Sequence, residues 1–355
     1  MTRIEQAPGR RARLMRVARD TAAACLAAVC VAQAASVAHA SETAQAARTA
    51  QPLNVAQPAP TPVANGANVG NAANAANAAN AANAARAIEV TDARGRVVRF
   101  ARAPQRIVTL LPSLTESVCA LAQCERLVGV DRFSNYPASV RTLPQVGGGI
   151  DPNIEAIVAL RPDVVLLATS SRASERLEAL GVKVLALEPK THADVRRVLH
   201  LLGRLLEVPE AEGAERVWRV IDASVNAAAQ SLPAHARGAR VYFEVSRGPY
   251  GAGTTSFIGE TLTRLGARNV LPPSLGPFPR LNPEYVVRAD PDLIMIGNRS
   301  MQSMVPYPGW ASLRAIREQH LCVFGTDESD VLVRPGPRMA EAARIMARCL
   351  ADKAP

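Results

Sequence analysis

Two stretches of this chain repeat one another. Asn153-Ile154-Glu155, six residues, then Pro162-Asp163-Val164-Val165-Leu166-Leu167 is answered by Asn282-Pro283-Glu284, six residues, then Pro291-Asp292-Leu293-Ile294-Met295-Ile296. The two align without a gap at an offset of 129 positions. Self-similarity on this scale fixes architecture before any single element does. Between the copies lies Pro209 to Pro233, rich in Ala, Glu and Arg, which are good helix formers. Pro209 suits a first helical turn and Pro233 an exit. Val217, Val220, Ile221 and Val225 recur at three- and four-residue steps, which predicts one buried face. At 1.5 Å per residue, some 22 helical residues make a rod roughly 33 Å long, about one domain across. The expectation is two related lobes hung on one rigid helix, each with a Glu at the same place.

The flanking pattern is α/β. Residues 88–100 alternate around Ala93-Arg94-Gly95 and predict a hairpin. Arg106–Leu111, Leu127–Val130, Val164–Leu167 and Val184–Leu187 predict buried strands, with helices over Ile154–Leu160, Ser174–Leu180 and Ala193–Glu207. Ser113, with Glu116 three residues on, has the spacing of a capping box. In the second half, strands are predicted at Arg240–Val245, Leu293–Ile296 and Leu321–Phe324. Helices there cover Ser256–Leu265, Pro283–Arg288, Leu313–Ile316 and Pro337–Leu350. Strands alternating with helices argue for parallel sheets. The organisation predicted is a leader (1–40), a low-complexity linker (41–87), a first lobe (88–208), the connecting helix (209–233) and a second lobe (234–355).

The leader has a basic start containing Arg10, Arg11, Arg13, Arg16 and Arg19, an apolar Ala-rich core from Thr21 to Val37, and Ala38-His39-Ala40 as a small-x-small cleavage site. It predicts export, with cleavage after Ala40, and in a Gram-negative cell the periplasm. The Asn-Ala-Ala repeat of residues 71–86 has no large apolar residue to bury and predicts a disordered tether. Net charge is +10, but six of the 41 basic and two of the 31 acidic residues lie in the first forty positions, which leaves +6 elsewhere. Only three lysines occur, aromatics make up 4%, and no stretch clusters Arg with stacking rings, so no nucleic-acid partner is expected.

Four cysteines remain after cleavage: Cys119, Cys124, Cys322 and Cys349. In an oxidising compartment they favour bridges, Cys119 with Cys124 and Cys322 with Cys349; buried free thiols are the alternative. Their spacing does not suit zinc. No metal site and no catalytic residue is expected, because the mature histidines (His192, His200, His235, His320) are isolated and no nucleophile motif is present. Gly251 to Ser256 lacks the third glycine of a dinucleotide fingerprint and is read as a loop whose free N–H groups face a cleft. Glu155 and Glu284 follow the N-caps Asn153 and Asn282. First-turn carboxylates are favoured by the helix dipole anyway. Their equivalence across two lobes also suits a two-fold partner with paired basic pockets. Phe133, Tyr136, Phe278, Asp330 and Arg334 fall in segments that follow strands, where ligands of α/β proteins gather. Phe278, between Pro277 and Pro279, is not expected to join a sheet.

Arg106–Glu116, Leu127–Val130, Asn135-Tyr136-Pro137, Asn153-x-Glu155, Leu160–Val165, Gly266–Val270, Asn282-x-Glu284, Pro308-Gly309-Trp310 and Val333–Arg338 together resemble the periplasmic substrate-binding proteins with a helical backbone. These are the cobalamin, haem and ferric-siderophore receptors of ABC importers, and the cobalamin subgroup is the most similar. The resemblance spans roughly residues 88–352. It implies two Rossmann-like α/β lobes joined by a single long rigid α-helix, a monomer, no cofactor, and a ligand (cobalamin or a related corrinoid) clamped between the lobes. It implies permease docking by Glu155 and Glu284, and ligand contact by Phe133, Phe278 and Asp330. Where the family's cobalamin receptor has Trp, this chain has Phe278 and Gly149. Haem, through Tyr136 or Tyr250, and a ferric siderophore, through Arg280, Arg334 or Arg338, are the rival ligands. An exported metal-dependent α/β enzyme is the rival of another class.

Overall fold

The computed structural model describes residues 87–297 and 307–355, all within one compact unit. The predicted leader (1–40) and linker (41–87) lie outside the described residues, Ala87 excepted. No helix among the described residues is long and apolar enough to cross a membrane.

Strands β1 (Ile88–Thr91) and β2 (Val97–Phe100) pair antiparallel. The buried Asp92 carboxylate ties their turn, accepting from the N–H groups of Arg94 and Arg96. In the first lobe β3 (Ile107–Thr109), β4 (Leu127–Val130), β5 (Val164–Leu167) and β6 (Val184–Ala186) form a parallel sheet in the order β4-β3-β5-β6. Helices α1 (Pro112–Ala120), α2 (Ile154–Ala159), α3 (Ala173–Ala179) and α4 (His192–Leu205) cover it. β5 and β6 are buried at every position, as strands covered on both faces must be.

The second lobe repeats the plan. β7 (Arg240–Ser246), β10 (Leu293–Gly297) and β11 (Leu321–Phe324) run parallel in the order β11-β10-β7. The outer edge of β7 is shared by antiparallel β8 (Tyr250–Gly251) at one end and parallel β9 (Arg268–Asn269) at the other. Helices α6 (Phe257–Arg264), α7 (Pro283–Ala289), α8 (Arg314–Arg317), α9 (Thr326–Leu332) and α10 (Met339–Lys353) pack around it. The repeat extends to backbone conformation at one position. Arg161 (φ 47°) and Asp290 (φ 36°), 129 positions apart, both take the left-handed conformation just past their glutamate-bearing helices.

Between the sheets runs α5 (Ala214–Gln230), 17 residues and so about 26 Å long. It is shorter than the rod expected over 209–233. Pro209 opens a turn instead, its carbonyl accepting from the N–H groups of both Glu212 and Gly213, and the helix begins after Gly213. A Cβ at Gly213 would lie 2.7 Å from a Val208 methyl, so the chain enters the helix where glycine permits close approach. The buried stripe is Val217, Ile221, Val225 and Ala228; Val220 lies off it and is exposed. That stripe belongs to a hydrophobic cluster that includes Leu114 and Leu199 of the first lobe and Leu262 and Ile345 of the second. The two lobes therefore share one core across α5. Both expected cysteine pairs are disulfides, Cys119–Cys124 with Cα atoms 4.3 Å apart and Cys322–Cys349 at 6.1 Å.

Candidate binding cleft

In each parallel sheet the carboxyl ends of the strands carry the loops that the sequence singled out. β4 leads to Asp131, whose buried carboxylate accepts the Phe133 N–H (2.8 Å) and the Ser134 hydroxyl (2.6 Å). Burial pushes this carboxyl up, and the two hydrogen bonds oppose that. The result is a tight turn that leaves the Phe133 ring 53% exposed, with Tyr136 at 48% three residues on.

The turn is held from the other lobe. Glu116 of α1 does not close the expected capping box. Helix α1 starts at Pro112 with no side-chain cap, and the Ser113 hydroxyl is buried without a partner. Glu116, 1% exposed at its side chain, instead receives two guanidiniums. Arg334 reaches its Oε1 at 3.0 Å; Arg338 reaches Oε1 at 2.7 Å and Oε2 at 3.1 Å. Arg334 also donates to Asn135 Oδ1 (2.8 Å) and to the Phe133 carbonyl (3.0 Å), and pairs with Asp330 at 2.8 Å. Asn135 in turn donates to Asp330 at 3.0 Å. Arg338 lies 4.4 Å over the Tyr136 ring, a cation–π contact. Two carboxylates and two guanidiniums thus form a neutral, nearly buried quartet between the lobes. It grips the loop that bears both exposed rings. The quartet occupies the Arg334 guanidinium with protein partners on all sides.

Four of the predicted residues (Phe133, Tyr136, Asp330, Arg334) are therefore brought together, and Gly149 and Phe278 lie outside their network. Gly149 sits against β3: a Cβ there would meet the Leu110 carbonyl oxygen at 2.9 Å. A Trp at this position, as the resemblance would place one, does not fit this backbone. The neighbouring Ile150 is 95% exposed. Phe278 is half-buried, 6.1 Å from Phe257. Its segment does pair with the sheet edge, against expectation. The carbonyls of Pro277 and Pro279 accept from the N–H groups of Gly253 and Gly251, and Tyr250 bridges to Arg280. Prolines lack donors, but here the glycines supply them. The same bonds correct the reading of the Gly251–Ser256 loop. The Gly251, Ala252, Gly253 and Ser256 N–H groups are all engaged internally, and Ser256 serves as the N-cap of α6.

Sequence reasoning missed the roles of Glu116 and Asn135, and also Glu244 on β7. Burial pushes the Glu244 carboxyl up to about 7, Tyr307 donates to its Oε1 at 3.2 Å, and its Oε2 is unpartnered. An acid in an otherwise apolar strand (Val241 to Val245) was the available signal. A second seam joins the lobes behind the cleft. Phe257 N–H donates to the Lys190 carbonyl (2.7 Å), and His192 N–H to Glu260 (2.6 Å). The His192 ring lies 2.9 Å from the Thr261 hydroxyl and 3.4 Å from Arg264. Among the described residues one cluster has metal-ligand types, His200 with Glu210 and Glu215. The two carboxylates face opposite ring nitrogens, at 2.8 and 2.9 Å, so they pair with the imidazole rather than converge on an ion.

The profile of the family described as "Periplasmic binding protein" matches residues 107–328. The chain is 28% identical over 256 residues to a vitamin B12-binding protein of Pectobacterium atrosepticum, covering 70% of this chain and 89% of that one. It is 27% identical over 278 residues to an uncharacterized ABC transporter substrate-binding lipoprotein of Bacillus subtilis, 74% and 85% of the two chains. Among solved structures it is similar to a periplasmic heme-binding protein from Pseudomonas aeruginosa, with a TM-score of 0.60, 27% identity, and coverage of 71% and 94%.

Two measurements test the seams. Glu116→Gln should destabilise the fold by roughly 3–5 kcal/mol in urea titration, because it leaves buried cationic charge unbalanced; a loss under about 1 kcal/mol would contradict the quartet. Burial holds the His192 imidazole down at about 4, well below 6.5. The unfolded chain therefore binds the extra proton between these values. Stability contributed by neutral His192 is complete above about pH 6.5 and falls as pH drops toward 4, by ~3 kcal/mol. His192→Gln should flatten that stretch of the pH–stability curve.

Proposed function

This chain belongs to the periplasmic binding protein family, and on that premise we propose that it takes cobalamin or a related corrinoid into the cleft between its lobes for an ABC importer. The function is binding and delivery; the family is one of substrate-binding transport proteins, not of enzymes. The observation that supports the corrinoid most is the pair of exposed rings, Phe133 and Tyr136, fixed at the strand ends by the interlobe quartet. Fixed aromatic faces suit a large, flat, partly apolar ligand, because the rings lose little freedom on contact. Phe278 and Tyr250 face the ligand from the second lobe, Gly149 and its neighbour Ile150 from the first. Asp330 offers a polar contact, while Arg334 acts chiefly by holding the loop.

The leader is read as directing export, with cleavage after Ala40, which puts the two lobes (88–208 and 234–355, on the 209–233 connection) in the periplasm; the proposed working state is a monomer. Glu155 and Glu284, exposed in the first turns of α2 and α7, dock the loaded protein on paired basic pockets of the permease dimer. Haem is the second reading, favoured by the similarity to the Pseudomonas heme-binding protein and by the exposed Tyr250.

Calorimetric titration of the mature chain should give one-to-one binding of cyanocobalamin, weakened about tenfold or more in Phe133→Ala. Binding of haemin in its place, lost in Tyr250→Phe, would transfer the assignment to haem. Glu155→Arg combined with Glu284→Arg should abolish uptake while leaving ligand affinity unchanged; a loss of affinity in that variant would argue against docking.

A further inference from the structure

The two glutamate helices are short, six residues in α2 and seven in α7. Helices of this length are not stable by themselves, so tertiary contacts must set their direction. Both carry the same fastening. In the first lobe Arg106, at the start of β3, donates to the Leu160 carbonyl (2.7 and 3.1 Å) and to the Arg161 carbonyl (3.2 Å), at the C-terminal end of α2. In the second lobe Arg240, the first residue of β7, donates to the carbonyls of Ala289 and Asp290 (3.1 Å for the latter) at the end of α7. Leu160 and Ala289, like Arg161 and Asp290, are 129 positions apart. These carbonyls are among those a helix end leaves unpaired, and a cation is favoured there.

A carboxylate completes each fastening. Asp163 Oδ2 accepts the Arg106 N–H at 2.9 Å, and Asp292 Oδ2 accepts the Arg240 N–H at 2.9 Å. The reciprocal bonds, from the Asp N–H to the Arg carbonyl, are 2.8 Å in both lobes. At the other end of each helix an Asn side chain caps the first turn, Asn153 to the Ala156 N–H and Asn282 to the Glu284 N–H. Each glutamate helix is thus capped at its start and tied, at its other end, to the first strand of its own sheet.

The geometry points to Arg106 with Asp163, and Arg240 with Asp292, as positioning residues for docking: matched clamps that fix the span and direction between Glu155 and Glu284. This rests on the docking reading of the two glutamates. A permease dimer presents its pockets at a fixed spacing, so carboxylates on wandering helices of under two turns would engage them poorly. Clamped to two sheets that share one core, they arrive pre-spaced.

The test uses Arg106→Met with Arg240→Met in the full chain. Spin labels at E155C and E284C report the distance distribution between the two helices, independently of any ligand. Uptake of cyanocobalamin by the native cell, its own copy replaced by the variant, reports docking. The double variant should at least double the width of the distribution and lower uptake about tenfold, with cyanocobalamin affinity within twofold of the parent. Arg106→Lys with Arg240→Lys, which keeps a donor cation at each helix end, should restore most of both. An unchanged width and uptake in the Met variant overturns the proposal, as does a fall in ligand affinity that tracks the fall in uptake. Normal uptake by the Glu155→Arg, Glu284→Arg protein would instead remove the docking reading beneath it, whatever the width shows.

Discussion

A single buried carboxylate, Glu116, ties the two halves of this molecule together at the Phe133 loop. Removing a carboxylate and a guanidinium from water costs several kcal/mol each, and their attraction in the interior does little more than offset that. The quartet of Glu116, Asp330, Arg334 and Arg338 is therefore a poor source of net stability. It is a strong restraint, because any arrangement that separates the lobes there strands buried charge. The same four groups take up the Phe133 carbonyl, the Asn135 amide and the Tyr136 ring. The restraint between lobes and the placement of the aromatic wall are one structure, so neither can be changed alone.

The other interlobe contacts push the same way. Helix α5 touches the first lobe at its start, where Arg216 donates to the Ala120 carbonyl. Further along it meets the second lobe, where Arg264 binds Asp222 and Asn226. His192 and Lys190 stitch α4 to α6. With a common core beneath, a large hinge rotation would break these contacts among the described residues. On the proposed binding reading, a cleft built this way is largely formed before its ligand arrives. The matched clamps at Arg106 and Arg240 extend the same logic to the outer face.

Most of the fold was legible in the sequence because parallel strands buried on both faces are continuous apolar runs, and one of those runs, with the helix before it, recurs 129 positions on. What escaped did so for specific reasons. Ser113 and Glu116 have the spacing of a capping box, and spacing alone cannot say that a carboxylate is claimed by arginines more than two hundred residues away. Residues 209–213 have helical composition, and only the close approach of Gly213 to Val208 shows why the helix waits. Helix α9, which carries Asp330, reads as a polar loop, with four of its seven residues polar before Asp330 itself. Arg106 and Arg240 stand 134 positions apart rather than 129, so the gapless repeat passed over them although their partners obey it. The two rings and the acid–arginine pair were singled out by their position after strands, and the structure brings them together; Glu116 and Asn135, which hold that loop, were not singled out.

The first-lobe wall bears on the ligand in a way composition could not. At Gly149 the backbone lies so close to β3 that a Cβ would press on the Leu110 carbonyl, and the Ser171 hydroxyl reaches the Gly149 carbonyl at 3.4 Å. Gly149 is therefore held flat against the sheet, and restoring an aromatic ring there requires the strand-end loop to move. The apolar surface that such a ring would supply is available from Ile150 instead, one residue on and fully in solvent. A branched aliphatic side chain gives contact area without a π face. Of the three rings proposed to meet the ligand, Phe133, Tyr136 and Phe278, two belong to the loop that Arg334 and Arg338 grip. Selectivity among large flat ligands should on these grounds be decided on the quartet side of the cleft.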